Sequence, residues 1–158
     1  MTAITDFCSS FVQALPHACE LLKTSNLVVH PRVSKITLHG SRGAAGGYRE
    51  DSDIDLALIV DTSEVTTNRE LEPLLREILE TTLRQWKGAV EADLAAIFDK
   101  SDCGLDCLDL TEFDESRCDT VVNCLGIYKT QKGFDGFVTG PAADVRAMYP
   151  RITIWVRD

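Results

Sequence analysis

Apolar residues recur along this chain at two different spacings, and the switches between them mark out its elements. From Ile4 to Leu22 they fall at Ile4, Phe7, Phe11, Leu15, Ala18 and Leu22, the spacing of a helix face. Pro16 interrupts that stripe, so the N-terminal helical segment, residues 4–24, is expected to be kinked or split in two. Arg32 to Leu38 is short and alternates, which predicts a strand. Ile54 to Val60 is a nearly continuous apolar run with β-branched ends, the pattern of a buried strand.

The longest predicted helix runs from Thr67 to Lys87. Leu71, Leu74, Leu75, Ile78, Leu79, Leu83 and Trp86 form one stripe along it. Thr67 and Glu70 suit a capping box, whereas Pro73 favours a regular helix that begins one turn later. Gly88 is a suitable stop, and Val90 to Phe98 follows as a second buried strand. Beyond it the periodicity weakens. Asp99 to Asp119 is acidic and cysteine-rich, and Thr120 to Ile127 fits either helix or strand. Gly133 to Phe137 reads as a loop, Ala142 to Met148 as a short helix opened by Pro141, and Ile152 to Val156 as a strand. These elements predict an α/β fold, a mixed sheet of about four or five strands with helices packed mainly on one face. The 158 residues are expected to form a single domain. Its motif core spans about residues 33–98, and residues 99–158 extend it.

Composition narrows the function. Sixteen Lys and Arg stand against 25 Asp and Glu, a net charge of −9. That balance argues against nucleic-acid binding through phosphates and against an anionic membrane surface. No apolar run is long enough to span a bilayer. Met1 to Ser10 carries Asp6 and no Lys or Arg, unlike a secretory signal, so a cytoplasmic protein is expected. In that setting the six cysteines are expected to be reduced thiols. The spacing of Cys103, Cys107, Cys118 and Cys124 lacks the tight pairs of a zinc site.

The chemistry concentrates in one stretch. His39 is followed by Gly40, Ser41 and Arg42, then by a glycine-rich loop, then by Asp51-Ser52-Asp53-Ile54-Asp55. Side chains two apart on a strand share a face, so Asp53 and Asp55 stand about 7 Å apart along the backbone. Two such carboxylates at the mouth of a buried strand need positive charge between them, and a hard divalent ion such as Mg2+ supplies it. Asp93 is a charge inside the second apolar run, and it joins the pair if the two strands are neighbours. Glu91 is the competing third acid. Gly40 lets backbone N–H groups approach phosphate closely, while Ser41 adds a hydroxyl and Arg42 a forked cation. The loop is neither a P-loop, since no Gly-Lys-Ser or Gly-Lys-Thr follows, nor a dinucleotide fingerprint, since it leads into a strand. Strand-end packing is the favoured reading for His39, a solvated pair for Lys129 and Lys132, and loop anchoring for Phe134 and Phe137.

Gly40-Ser41, an eleven-residue spacer and Asp53-Ile54-Asp55, with Ala92-Asp93-Leu94 one helix and one strand later, resemble the DNA polymerase β-like nucleotidyltransferase superfamily, in particular its minimal members. The resemblance implies transfer of a nucleoside monophosphate from ATP or another nucleoside triphosphate to a hydroxyl, with release of pyrophosphate. It implies two Mg2+ ions held by Asp53, Asp55 and Asp93, with Asp93 serving the acceptor hydroxyl, and β- and γ-phosphates held by Gly40 and Ser41. Minimal members often act with a helical partner protein, and some as antitoxins that modify it, so such a partner or a homodimer is expected. A nucleotide- or protein-binding module that has kept the fold without catalysis is the alternative. An antibiotic-modifying transferase is a third reading, for which the chain is short.

Overall fold

The computed structural model describes residues 2–65, 67–99, 125–143 and 145–158. Pro16 does split the N-terminal segment. Helix α1 covers Ser9–Ala14, and α2 covers Pro16–Lys23 with the proline at its start, where a missing N–H costs nothing. Ile4 departs from the helical expectation. Its N–H donates to the Leu27 carbonyl at 2.8 Å, and Ala3 bridges Val28, so the chain enters extended.

Strand β1, Val33–His39, leads to the glycine bend, and β2, Ile54–Val60, returns antiparallel to it. Helix α3, Asn68–Gln85, then crosses over to β3, Ala92–Asp99, which lies parallel to β2. A parallel pair needs such a long connection. Strands β4, Leu125–Lys129, and β5, Gly136–Phe137, extend one side, and β6, Ile152–Val156, pairs with β1 on the other. The order is β5-β4-β3-β2-β1-β6. The mixed α/β sheet thus has six strands, more than expected, because Gly136–Phe137 pairs with β4 where the glycines suggested only a loop.

Two further expectations give way. Helix α3 begins at Asn68 despite Pro73, its sixth residue. The Thr67 side chain accepts the Glu70 N–H at 3.3 Å, so the cap forms where the sequence offers it. Pro73 deprives the Arg69 carbonyl of its usual donor at a cost of roughly 3 kcal/mol. Burial of Leu71, Leu75, Ile78 and Leu79 outweighs that, at about 1.5–3 kcal/mol for each side chain. The segment after Pro141 forms two short 3-10 turns, Gly140–Ala143 and Val145–Met148, and not one helix. The acidic segment and Cys103, Cys107, Cys118 and Cys124 lie outside the described residues, as does the start of the ambiguous stretch from Thr120. Cys8 and Cys19 carry free thiols. No helix among the described residues is long and apolar enough to cross a membrane.

The two faces of the sheet differ. Ile54, Leu56, Leu58 and Val60 of β2, with Leu94 and Ala96 of β3, pack against Phe11, Leu22, Leu75 and Ile78 of the helices. Ala57, Ile59, Ala95 and Ile97 form a second apolar cluster with Leu125 and Ile127 of β4. Strand alternation places Asp55, Asp93 and Lys129 on that second face, away from the helices.

Candidate active site

Register brings the acids together. Asp55 lies directly beside Asp93 across the parallel β2–β3 pair, and His39 lies opposite Asp55 across β1–β2. The three form a row over three adjacent strands, and Asp53 precedes β2 at its mouth. Glu91, the competing third acid, stands outside β3 with a side chain 78% exposed, whereas that of Asp93 is 17% exposed. Among the described residues no three His, Cys, Asp or Glu side chains converge closely enough to enclose an ion in this arrangement.

Cations balance the acids. Lys129 Nζ lies 3.1 Å from Asp93 Oδ1 and donates to Oδ2 at 3.3 Å, leaving Oδ1 buried without a hydrogen bond of its own. Lys132 Nζ lies 2.7 Å from Asp53 Oδ2 and 3.6 Å from Glu91 Oε2. The expectation of a solvated lysine pair therefore fails for Lys129, whose side chain is 18% exposed, whereas Lys132 stays 46% exposed while it pairs with Asp53. A signal was available for Lys129, a charge ending the apolar run of β4, which is the same signal that picked out Asp93.

Burial, then repulsion from Asp93 and the hydrogen bond shared with it, push the Asp55 carboxyl up to about 6. His39 moves the other way, to about 4, because burial and then Lys129 disfavour its imidazolium. Its Nδ1 is buried without a partner.

The glycine bend is shaped around Asp55. Gly40 has φ +74, and a Cβ there would overlap Asp55 Oδ2 and come within 2.9 Å of Cγ. The Gly43 N–H donates to the Gly40 carbonyl at 3.0 Å, which closes the turn. Ser41 is half-buried beside it. Arg42 does not face a ligand as expected. Its side chain is buried, Nε donates to the Ser52 carbonyl at 2.8 Å, and Nη2 donates to the Arg49 and Glu50 carbonyls at 3.1 and 2.9 Å. Tyr48 covers the guanidinium, 4.7 Å from ring centroid to Cζ, and His17 of α2 stacks on Tyr48. Arg42 thus ties down the loop that delivers Asp53. Arg42→Lys is expected to destabilise the fold by about 2–4 kcal/mol in urea denaturation, because one ammonium cannot replace a fork directed at three carbonyls. A residue that only met phosphate would leave stability unchanged.

Gln131 had no signal in the sequence. Its Nε2 donates to the Ala92 carbonyl at 2.8 Å, and its Oε1 accepts the Leu94 N–H at 3.1 Å. One amide thereby continues the ladder past the end of β4 and holds β3 on both sides of Asp93. Gln131→Ala leaves both backbone groups unpaired, at a cost of about 1–3 kcal/mol. The Leu94 amide is expected to exchange with deuterium about tenfold to a hundredfold faster, measured by NMR.

An open cleft of about 810 Å3 lies between Arg49, Glu50 and Asp51 on one side and Ala89, Val90 and Glu91 on the other. It includes Asp53 but neither Asp55 nor Asp93, so it adjoins the buried pair without containing it.

A family model described as polymerase beta, nucleotidyltransferase matches residues 23–102, about half of the chain, from the end of α2 through β3. No curated protein and no solved structure matches.

Proposed function

The chain belongs to the polymerase β nucleotidyltransferase family, and from that premise we propose that it moves a nucleoside monophosphate from ATP or another nucleoside triphosphate to a hydroxyl, releasing pyrophosphate, with Mg2+ as cofactor. The observation that carries the reading is the pairing of Asp55 with Asp93 on adjacent strands, beside Asp53 and against the glycine bend. A half-buried carboxyl such as Asp55, whose ionisation burial and Asp93 oppose, is a poor structural element but a suitable ligand for a hard dication.

The donor set suits such an ion, since Asp53, Asp55 and Asp93 offer carboxylate oxygens, but in this arrangement the three do not close on one point and Lys129 Nζ stands 3.1 Å from Asp93 Oδ1. Asp53, Asp55 and Asp93 would hold it, and when bound it supplies charge neutralisation at the triphosphate and acidifies the attacking hydroxyl. In this reading Asp93 takes the acceptor proton and Lys129, 3.1 Å away, holds that carboxylate in position. Gly40 and Ser41 are the proposed phosphate contacts at the bend, and Arg42 is left out of that set. The cleft is within the ~300–1,000 Å3 that small ligands occupy. The acceptor is a protein side chain or a small molecule, and a helical partner protein or a second copy of the chain would present or complete it.

One observation favours a non-catalytic binding module instead, the ammonium groups that already neutralise Asp93 and Asp53. Incubation with Mg2+ and labelled triphosphates, with and without cell lysate, separates the two readings. Pyrophosphate release abolished by Asp53→Ala supports the transferase. Nucleotide binding without turnover, unaltered by that substitution, supports the module.

A further inference from the structure

The two lysines that balance the acids are held very differently. Lys129 and Asp93 are both largely buried, with side chains 18% and 17% exposed, and the ammonium also lies 5.6 Å from the centroid of Phe134. Lys132 stands on a turn that Gln131 pins to β3, in a left-handed conformation with φ 57. Its side chain is 46% exposed, and Asp53 and Glu91 are its ion-pair partners. The turn is therefore fixed while the four-carbon arm of Lys132 is free to leave.

Resting on the transferase reading, we infer that Lys132 is an exchangeable counter-ion of Asp53, which occupies the carboxylate until a divalent cation displaces it. A dication and an ammonium cannot share Asp53 Oδ2 without repelling each other, so the two compete for it. Lys132 neutralises Asp53 at rest, keeping the mouth of β2 from carrying an uncompensated anion beside Asp55 and Asp93. The competition is mild, because a partly exposed pair of this kind lowers the affinity of a competing ion by only about twofold to fivefold.

Mn2+ alone is the probe. Calorimetric titration of the full chain is expected to show Lys132→Gln binding Mn2+ about twofold to fivefold more tightly than the wild type. In the unmodified protein, saturating Mn2+ is expected to speed acylation of the Lys132 amine by an N-hydroxysuccinimide ester, followed by mass spectrometry, and to leave unchanged that of Lys23, an equally exposed lysine paired with Glu20 on α2. That contrast does not depend on a variant that folds. If Mn2+ binds and is lost in Asp53→Asn, but either the Lys132→Gln affinity or the Lys132 acylation rate fails to move, this inference is overturned and the transferase reading stands. If the wild type binds no Mn2+ through Asp53, both are overturned.

Discussion

Asp55→Asn is expected to abolish nucleotidyl transfer, by about a thousandfold or more, and at the same time to raise the melting temperature of the metal-free protein. On the proposed reading Asp55 would hold the ion, several kcal/mol of charge stabilisation would go with it, and each 1.36 kcal/mol is a factor of ten. The gain follows from the shifted carboxyl. Its value moves from 3.8 to about 6 on folding, so at neutral pH the charged form opposes the fold. Taken at face value the shift is worth ~3 kcal/mol, but Asp55 is partly solvated and screened, and about 1 kcal/mol is a fairer expectation. That corresponds to a rise of about 2–4 °C, measured by calorimetry in the presence of a chelator. A residue kept for packing would show the opposite, a lower melting temperature.

The same substitution exposes a pH dependence that the wild type conceals. The contribution of Asp55 is complete below 3.8 and is lost as pH rises through about 6. His39 has the reverse sign. Its value falls from 6.5 to about 4 on folding, so its contribution is complete above 6.5 and is lost as pH falls through about 4. Between these limits the two slopes oppose each other. Asp55→Asn leaves His39 uncompensated, so its stability declines on acidification and its advantage over the wild type fades toward pH 4. His39→Gln should slope the other way, with stability rising as pH falls. Urea denaturation across this range reads both slopes, and parallel curves for all three proteins would refute the account.

Gly40→Ala is expected to damage both stability and activity, although it adds a single methyl group. It meets two separate penalties, a left-handed backbone at φ +74 and overlap with the Asp55 carboxylate. The first costs about 1–2 kcal/mol. The second has to be relieved by moving Asp55, and a displacement of about 1 Å at a reacting centre is worth about a hundredfold in rate. Gly46→Ala is the matched control. Its φ is +72, but nothing lies within 4 Å of the added carbon. It should lose about 1 kcal/mol of stability while keeping most of its activity. Equal rates for the two variants would show that the contact between Gly40 and Asp55 is unimportant.

The elements that were legible beforehand are those whose signal is local. The apolar stripe of α3, the nearly continuous apolar runs of β2 and β3 and the alternation of β6 each follow from a pattern written in consecutive residues. The carboxylates stood out for the same reason, since a charge within an apolar run needs no partner in view to look anomalous. Glycine content misled at Gly136–Phe137, where pairing with β4 overrode a loop signal, and Pro73 misled because cap and core burial together outweighed one lost hydrogen bond.

What the amino-acid order determined unaided is β1, β2, α3, β3 and β6 and the acidic, glycine-bordered stretch from Gly40 to Asp55, with Asp93 one crossover later. Tertiary structure alone decided that Asp55 faces Asp93 and not Glu91, that Arg42 turns inward to carbonyls, that Lys129 and Lys132 reach the acids and that Gln131 extends the sheet. Periodicity is a property of neighbours along the chain, whereas register and the direction of a long polar side chain depend on partners tens of residues away, and no local pattern encodes them.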